Sequence, residues 1–428
     1  MKSWLARFAY SALLRLVTPG YLLRLWWRGW REPGYRQGLA QRLGFGYRPA
    51  LPGAFWLHAV SLGETRAASA LVDALRTQQP ALRLLLTHGT ATGFEAGRAL
   101  LRAGDLQTWL PWDTPGAVRR FLRDHRPAIG VLMETEVWPN LLHGARDEGV
   151  PMALANARLS EKSFARGRRI AALIEPAARS LALVLAQTEA DASRLREAGG
   201  AKVLVCGNLK FDVSPNPELL TRGRSWRQRS ARPVVLAAVT REGEELPLLQ
   251  CWKTLEAPRP LLMLVPRHPQ RFDEVAAMAV DCGLQAWRRS AWAAQPPDAA
   301  LQADVWLGDS MGEMPLYYAA ADVALLGGSF GRFGGQNLIE AAACGCPLVM
   351  GPHTYNFSDA AELSLAAGAS LRVAGIDEGV ARAVELARDP QRDDWVQRAL
   401  AFAAAHRGAA ERMARELLAL AGPRLGGG

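Results

Sequence analysis

Two Rossmann-like, doubly wound α/β domains in tandem, behind a basic amphipathic helical segment, are the fold class that this 428-residue sequence predicts. Three observations predict it. From residue 55 onward, short apolar runs alternate with amphipathic helical stretches, the pattern of strand–helix repeats around a parallel sheet. The series breaks once, at the polar, proline-punctuated stretch 213–232, and then restarts. Residues 1–50 carry nine basic groups against one acid, Glu32, so +8 of the net +10 lies there and the remainder is near neutral.

The elements follow in order. Residues 1–46 form a basic amphipathic segment. From Tyr21 its helical wheel sets Leu22, Leu23, Trp26, Trp27 and Trp30 on one face and Arg24, Arg28 and Arg31 on the other, the distribution of a helix lying in a membrane interface. Pro19-Gly20 is expected to split it from an apolar segment at 4–17, which lies beside it or dips into the bilayer. The alternative is a core helix with a solvated arginine face. No apolar run approaches the roughly 20 residues a spanning helix needs, and no secretory cleavage pattern is present. Residues 47–212 are read as the first domain, with strands near 55–60, 83–87, 107–110, 129–133, 152–155, 181–186 and 203–206. A linker is expected at 213–232. The second domain, 233–428, should hold strands near 234–239, 261–265, 304–307, 322–326 and 347–350, with its last helix packing back on the first domain.

Composition excludes several classes. Hydrophobic residues at 49%, charged residues at 21% and 26 scattered prolines are not those of a disordered, collagen-like or coiled-coil chain. Five cysteines without a C-x-x-C spacing argue against a disulfide framework or a zinc ribbon. Positive charge confined to one end argues against nucleic acid as a partner.

Ligands of such sheets bind at the carboxyl ends of the strands, so the residues that follow the apolar runs are the candidates. After the first run, Ser61-Leu62-Gly63 turns the chain and Glu64 opens a helix; a first-turn glutamate is also what the helix dipole alone would favour. After the fourth run come Glu134 and Glu136, two carboxylates where a buried strand meets a loop. Asn156-Ala157-Arg158 and Gly207-Asn208-Leu209-Lys210 follow later runs. In the second half Gly327-Gly328-Ser329 ends a strand, and Gly334-Gly335-Gln336-Asn337 leads into a helix through Leu338, Ile339 and Glu340. Glycines let the backbone approach a phosphate, a helix start offers free N–H groups, and a first-turn glutamate can accept ribose hydroxyls. Arg267, after another strand, can bring a cation to the same phosphate. That constellation reads as a nucleotide-sugar pocket, against the simpler reading of a tight turn.

In sequence order, HAVSLGE, LPWDTPGAVRRFL, ETEVWPN, NARLS, GNLKFD, TREGEE, PRHPQRF, LGDSMGEM, GGSFGRFGGQNLIEAA and GPHTYNF span about residues 57–357. Together they resemble the bacterial 3-deoxy-D-manno-octulosonic acid (Kdo) transferases, glycosyltransferase family 30. The resemblance implies a GT-B fold, two domains facing across a cleft, a CMP-Kdo donor, a lipid A precursor (lipid IVA) acceptor, and a place on an anionic membrane surface at the cytoplasmic face of the inner membrane. It implies Glu64 as catalytic base, Glu134 and Lys210 as groups that steady the transition state, and Pro266, Arg267, Met311, Gly312, Glu313, Asn337, Leu338, Ile339 and Glu340 as CMP contacts, beside the loop of Gly328 and Ser329. The pattern departs at Arg241 and Gln336, where histidine is expected; Gln336 can donate a hydrogen bond but cannot act as an acid. No metal or other cofactor is expected, since the leaving group is already a monophosphate and no D-x-D is present. A UDP-sugar 2-epimerase, with the same two-domain fold, is the alternative.

Overall fold

The computed structural model describes residues 2–48, 52–212 and 214–425. It divides into two compact units, Met1–Asp212 with Arg407–Gly428, and Val213–His406.

The first unit is a seven-stranded parallel sheet of order β3-β2-β1-β4-β5-β6-β7. Its strands are β1 Phe55–His58, β2 Leu84–His88, β3 Leu106–Trp109, β4 Ile129–Met133, β5 Met152–Ala157, β6 Leu183–Ala186 and β7 Val203–Val205. The pairing runs Phe55 to Leu84 on one side of β1 and Phe55 to Ile129 on the other. Both faces of the sheet are buried, as unbroken apolar runs require. Phe55, Leu57, Val131 and Met133 pack into one cluster with Leu71 and Leu75, and Trp56, Leu132 and Leu154 into another with Phe121 and Leu142. The C-terminal helix Ala409–Ala421 belongs to the first cluster through Met413 and Leu417. The Asp212 carboxylate accepts the N–H groups of Gly408 and Ala410, so the residue at which the chain leaves this unit caps the helix with which it returns.

The second unit repeats the plan with order β10-β11-β9-β8-β12-β13-β14. Here β8 is Val234–Thr240, β9 Leu261–Pro266, β10 Ala286–Arg288, β11 Val305–Leu307, β12 Val323–Leu326, β13 Leu348–Met350 and β14 Ser370–Arg372. Among the described residues, twelve of the fourteen strands coincide with apolar runs read from sequence. The other two, β10 and β14, are three-residue edge strands. At the edge only one neighbour supplies burial, so little apolar signal is needed.

Two expectations are corrected. Within 213–232, where a linker was expected, lies the helix Pro217–Arg229, packed on the helix Met314–Ala320. Asn216 accepts the N–H groups of Glu218 and Leu219, and Pro217 occupies the first helical position. The prolines and asparagine that suggested a loop are thus its N-terminal capping signal. The N-terminal segment is one continuous helix, Lys2–Arg28, with Pro19 inside it. Proline there removes one backbone donor, and the neighbouring Thr18 hydroxyl donates to the Leu14 carbonyl at 2.6 Å. No helix among the described residues is long and apolar enough to cross a membrane.

Candidate functional site

In each sheet the strand order reverses at one place, between β1 and β4 in the first and between β8 and β12 in the second. Loops leaving such a switch point diverge and open a crevice. The candidates follow those strands: Glu64 after β1, Glu134 and Glu136 after β4, Arg241 and Glu244 after β8, and residues 327–336 after β12.

Glu64 stands in the first turn of the helix Leu62–Gln78, capped by Ser61. Its Oε2 accepts the Val60 N–H at 2.8 Å, and the Ser61 hydroxyl donates to Oε1 at 3.1 Å while accepting the Glu64 N–H at 3.4 Å. This is close to a capping box, so the structural role of a first-turn glutamate is real. It is not the whole account. Burial pushes the Glu64 carboxyl up to about 7; the Val60 N–H opposes this, and the Glu134 and Glu136 charges reinforce it. Burial, reinforced by Glu134, also raises Glu136. Three carboxylates are therefore within electrostatic reach, and one is poised near neutrality.

Strain marks the same place. Glu134 has φ +57° and Asn156, in β5, has φ +52°, both left-handed without being glycine. The Glu134 N–H donates to the Ala155 carbonyl at 2.9 Å, which fixes the loop start. Asn156 Oδ1 accepts the Leu209 N–H at 3.0 Å, and its carbonyl accepts from Gln187 at 2.9 Å. Asn208 donates to Gln187 at 2.9 Å and accepts the Lys210 N–H at 3.0 Å. The loops after β5, β6 and β7 are thereby locked together, and Lys210 stands in the short turn Leu209–Phe211 at the carboxyl end of the sheet. Asn156 and Gln187 have positioning roles that sequence reading missed; NARLS was noted, but nothing local signals that its asparagine bonds across two strands.

In the second unit Pro266 ends β9, and the exposed Arg267 donates its N–H to the Thr240 carbonyl at 3.0 Å. Some loss of solvent and the charges of Arg241, Arg267 and Arg271 hold the His268 imidazole below its usual value, so several cationic groups converge after β8 and β9. Arg271 is engaged by Glu245 at 2.6 Å and Glu274 at 3.2 Å, and Arg241 lies over the Phe333 ring at 4.6 Å. Burial raises the Glu340 carboxyl, and Arg267 offsets this. Asn337 caps the short helix Leu338–Ala343, its Oδ1 accepting the Ile339 N–H at 3.2 Å, with Leu338 and Ile339 buried.

Three sequence-read contacts have other work. Ser329 is fully buried, its hydroxyl donating to the Leu326 carbonyl and accepting the Gly351 N–H at 2.8 Å, so that side chain is committed inside the fold. The Gly328 N–H, at φ +71°, donates to Glu244 rather than facing an open anion site. Burial would raise the Glu313 carboxyl, but the Ser310 hydroxyl and the Arg289 and Arg222 guanidiniums outweigh it and hold it below the carboxylate range. Arg289 and Ser310 donate to it at 3.0 and 2.6 Å, and Arg222 pairs with it too. That leaves the exposed Met311 and Gly312 as the accessible part of their loop. Among the described residues, no group of three or more His, Cys, Asp or Glu side chains is arranged to hold a metal ion.

Residues 37–213 match the family described as 3-Deoxy-D-manno-octulosonic-acid transferase (kdotransferase). The 3-deoxy-D-manno-octulosonic acid transferase of Bordetella pertussis is 47% identical over 95% of this chain and 98% of its own length. That of Haemophilus influenzae is 36% identical over 89% and 90%. Among solved structures, Anabaena HepE in complex with UDP has a TM-score of 0.54 at 16% identity, covering 86% of this chain and 99% of that one. A glycosyltransferase of Rickettsia africae also has a TM-score of 0.54, at 12% identity, covering 88% and 100%. These two likenesses bear on the fold alone, and the fold is GT-B-like.

Proposed function

The chain belongs to the 3-deoxy-D-manno-octulosonic acid transferase family, and from that premise we propose that it moves Kdo from CMP-Kdo to the 6-hydroxyl of a lipid A precursor in lipopolysaccharide synthesis. The observation that carries the chemistry is the Glu64 carboxyl at the switch point of the first sheet, raised to about 7 by burial and by Glu134 and Glu136. A general base works best when its pKa lies near the working pH. Glu64 takes the proton of the acceptor hydroxyl as the oxygen attacks the anomeric C2 of Kdo. The C2–O bond to phosphate breaks with inversion, and CMP leaves with the bonding pair. Lys210 and Glu134 steady the charge that develops around the sugar.

Donor binding falls to the second unit. Arg267 and Arg241 meet the phosphate, Glu340 accepts from the ribose, and Pro266, Met311, Gly312, Asn337, Leu338 and Ile339 complete the nucleotide contacts. The leaving group is a monophosphate, so the reaction calls for no metal to mask a diphosphate.

The acceptor is a lipid, and the N-terminal helix supplies a surface for it. Leu16, Leu23 and Trp27 on that helix and Trp30 in the turn after it are 79, 66, 75 and 66% exposed, and Arg24 and Arg28 are exposed on the same helix. Such a face suits peripheral attachment to an anionic bilayer, at the cytoplasmic side of the inner membrane. Incubating purified protein with CMP-Kdo and lipid A precursor, and weighing the lipid product, tests the reading. A product heavier by one or more Kdo units is expected; an unchanged acceptor with CMP-Kdo intact would overturn it.

A further inference from the structure

The helix Pro139–Asp147 begins where the acidic loop 134–138 ends, and its N-cap residue, Trp138, makes no side-chain cap. A buried carboxylate from a different part of the chain takes that role. Asp113 Oδ2 accepts the Asn140 N–H at 3.1 Å, Oδ1 accepts the Leu141 N–H at 2.7 Å, and the Asn140 amide returns a bond to the Asp113 carbonyl at 2.7 Å. The N-terminal helix Lys2–Arg28 joins the same cluster. Its Tyr10 hydroxyl donates to Asp113 Oδ2 at 2.9 Å, and its Ser11 hydroxyl donates to Asn140 Oδ1 at 3.1 Å. About three turns on, Tyr21 stacks on Trp112, the neighbour of Asp113, with ring centroids 3.9 Å apart.

We propose that Asp113 is a positioning residue that ties the seating of the N-terminal helix to the acidic loop 134–138. The loop is pinned at one end by the Glu134–Ala155 backbone bond and at the other by the Asp113 cap. Adjacent residues of the N-terminal helix hold both members of that cap. A helix that shifts by a fraction of an ångström at Tyr10 and Ser11 therefore moves the loop end next to Glu136. The residues of the same helix that leave the body exposed, Leu13 and Leu16 among them, follow these two directly. What the helix rests on is thus conveyed to the site through one buried carboxylate. The inference rests on Glu64 being the base, whose pKa the loop helps to set.

The test is Tyr10→Phe combined with Ser11→Ala, which deletes both hydrogen bonds and keeps the ring and the helix. Turnover with CMP-Kdo and lipid A precursor in detergent should fall about tenfold or more at unchanged KM for CMP-Kdo, since reacting groups lose alignment while the donor site is untouched. The acidic limb of the pH–rate profile should also move to lower pH, because Glu134 and Glu136 no longer sit where they raise Glu64; a merely structural bond would not move it. Wild-type turnover, or a lowered turnover with the limb unmoved, would overturn the proposal. Tyr10→Phe alone, which loses a single hydroxyl, serves if the double variant does not fold, and should show the same shifts on a smaller scale; its absence of any shift counts against the proposal equally. Glu64→Gln measured alongside separates the two ideas. Undiminished turnover there removes the base assignment, while the fall in turnover of the double variant still reports on Asp113.

Discussion

Glu244 Oε2 accepts the Gly328 N–H and the Arg241 N–H, each at 2.8 Å, so one buried carboxylate joins the end of β8 to the end of β12. Its Oε1 takes the N–H groups of Phe330 and Gly331 at 3.2 and 3.0 Å. Successive amides that converge on a point make an anion nest, and here the protein fills the nest itself. The glycine-rich loop is therefore shaped by an internal anion.

Glu244→Gln should disturb that loop without touching the nucleotide. The amide offers one acceptor oxygen and sets an NH₂ against backbone N–H groups, leaving buried donors unpaired. CMP binding, followed by calorimetric titration, should weaken by about 10- to 100-fold, the ~1.5–3 kcal/mol of a lost charge-assisted bond. A Kd within threefold of wild type would mean that the loop keeps its shape by other means.

Arg267→Ala, Arg241→Ala and Glu340→Ala should each weaken CMP binding by a similar factor while leaving the melting temperature nearly unchanged, because the arginines stand at the rim rather than in the core. Removing Arg267 takes away the cation that offsets burial at Glu340, so the residual CMP affinity of Arg267→Ala should depend on pH more steeply than that of wild type, with the dependence displaced to higher pH. Parallel pH curves would separate the two groups.

Most of the fold was legible because its sheets are buried on both faces. Strands such as β4 and β8 are continuous apolar runs, and their order in the chain implies right-handed crossovers. The helix Pro217–Arg229 was not legible, since Asn216-Pro217-Glu218 carries the same residues whether it caps a helix or turns a loop. The sites were legible only to the level of the loop. Glu64, Ser329 and Glu313 all follow strands in the sequence, but the Ser329 hydroxyl is spent on Leu326 and Gly351 and the Glu313 carboxylate on Ser310, Arg222 and Arg289. No local pattern tells a serine that bonds Leu326 and Gly351 from one that meets a ligand. Asp113 and Glu244 were hidden for the converse reason: the Asp113 partners lie 27 or more residues away, and the Glu244 partners in the glycine-rich loop 84 or more.

Replacing Leu23, Trp27 and Trp30 together by serine should reduce binding to vesicles of anionic phospholipid without unfolding the protein. These side chains are exposed, whereas Tyr10, Ser11 and Leu25 hold the helix to the body, so deleting the helix would confound attachment with stability. Wild-type binding should fall with added salt, at about 1 kcal/mol per engaged basic residue at low ionic strength. Sedimentation of the triple variant with vesicles to the wild-type extent would show that another surface makes the contact.

Glu64→Gln is the sharpest test of mechanism, because it preserves shape and one acceptor oxygen while removing basicity. The Val60 N–H and the Ser61 hydroxyl can still be accommodated, so the fold and CMP binding should persist. With the base gone, kcat should fall by about two to four decades. In the wild type only the ionised form accepts a proton, so the rate should climb as pH rises toward about 7 and flatten above it, and the variant should lack that limb. Stability supplies an independent reading with the opposite slope. A carboxyl raised from 4.5 to about 7 keeps in the folded state a proton that the unfolded chain releases, so between those values stability is lost as pH rises. Asp113, raised to about 7 chiefly by burial, adds the same sign. The melting temperature of wild type relative to that of Glu64→Gln should therefore fall as pH rises from 5 to 8, because the variant lacks the Glu64 contribution and shares every other titrating group. Turnover within threefold of wild type at saturating CMP-Kdo would reduce Glu64 to its capping role and transfer the search for the base to Glu136, the carboxyl of the loop after β4 that burial also raises.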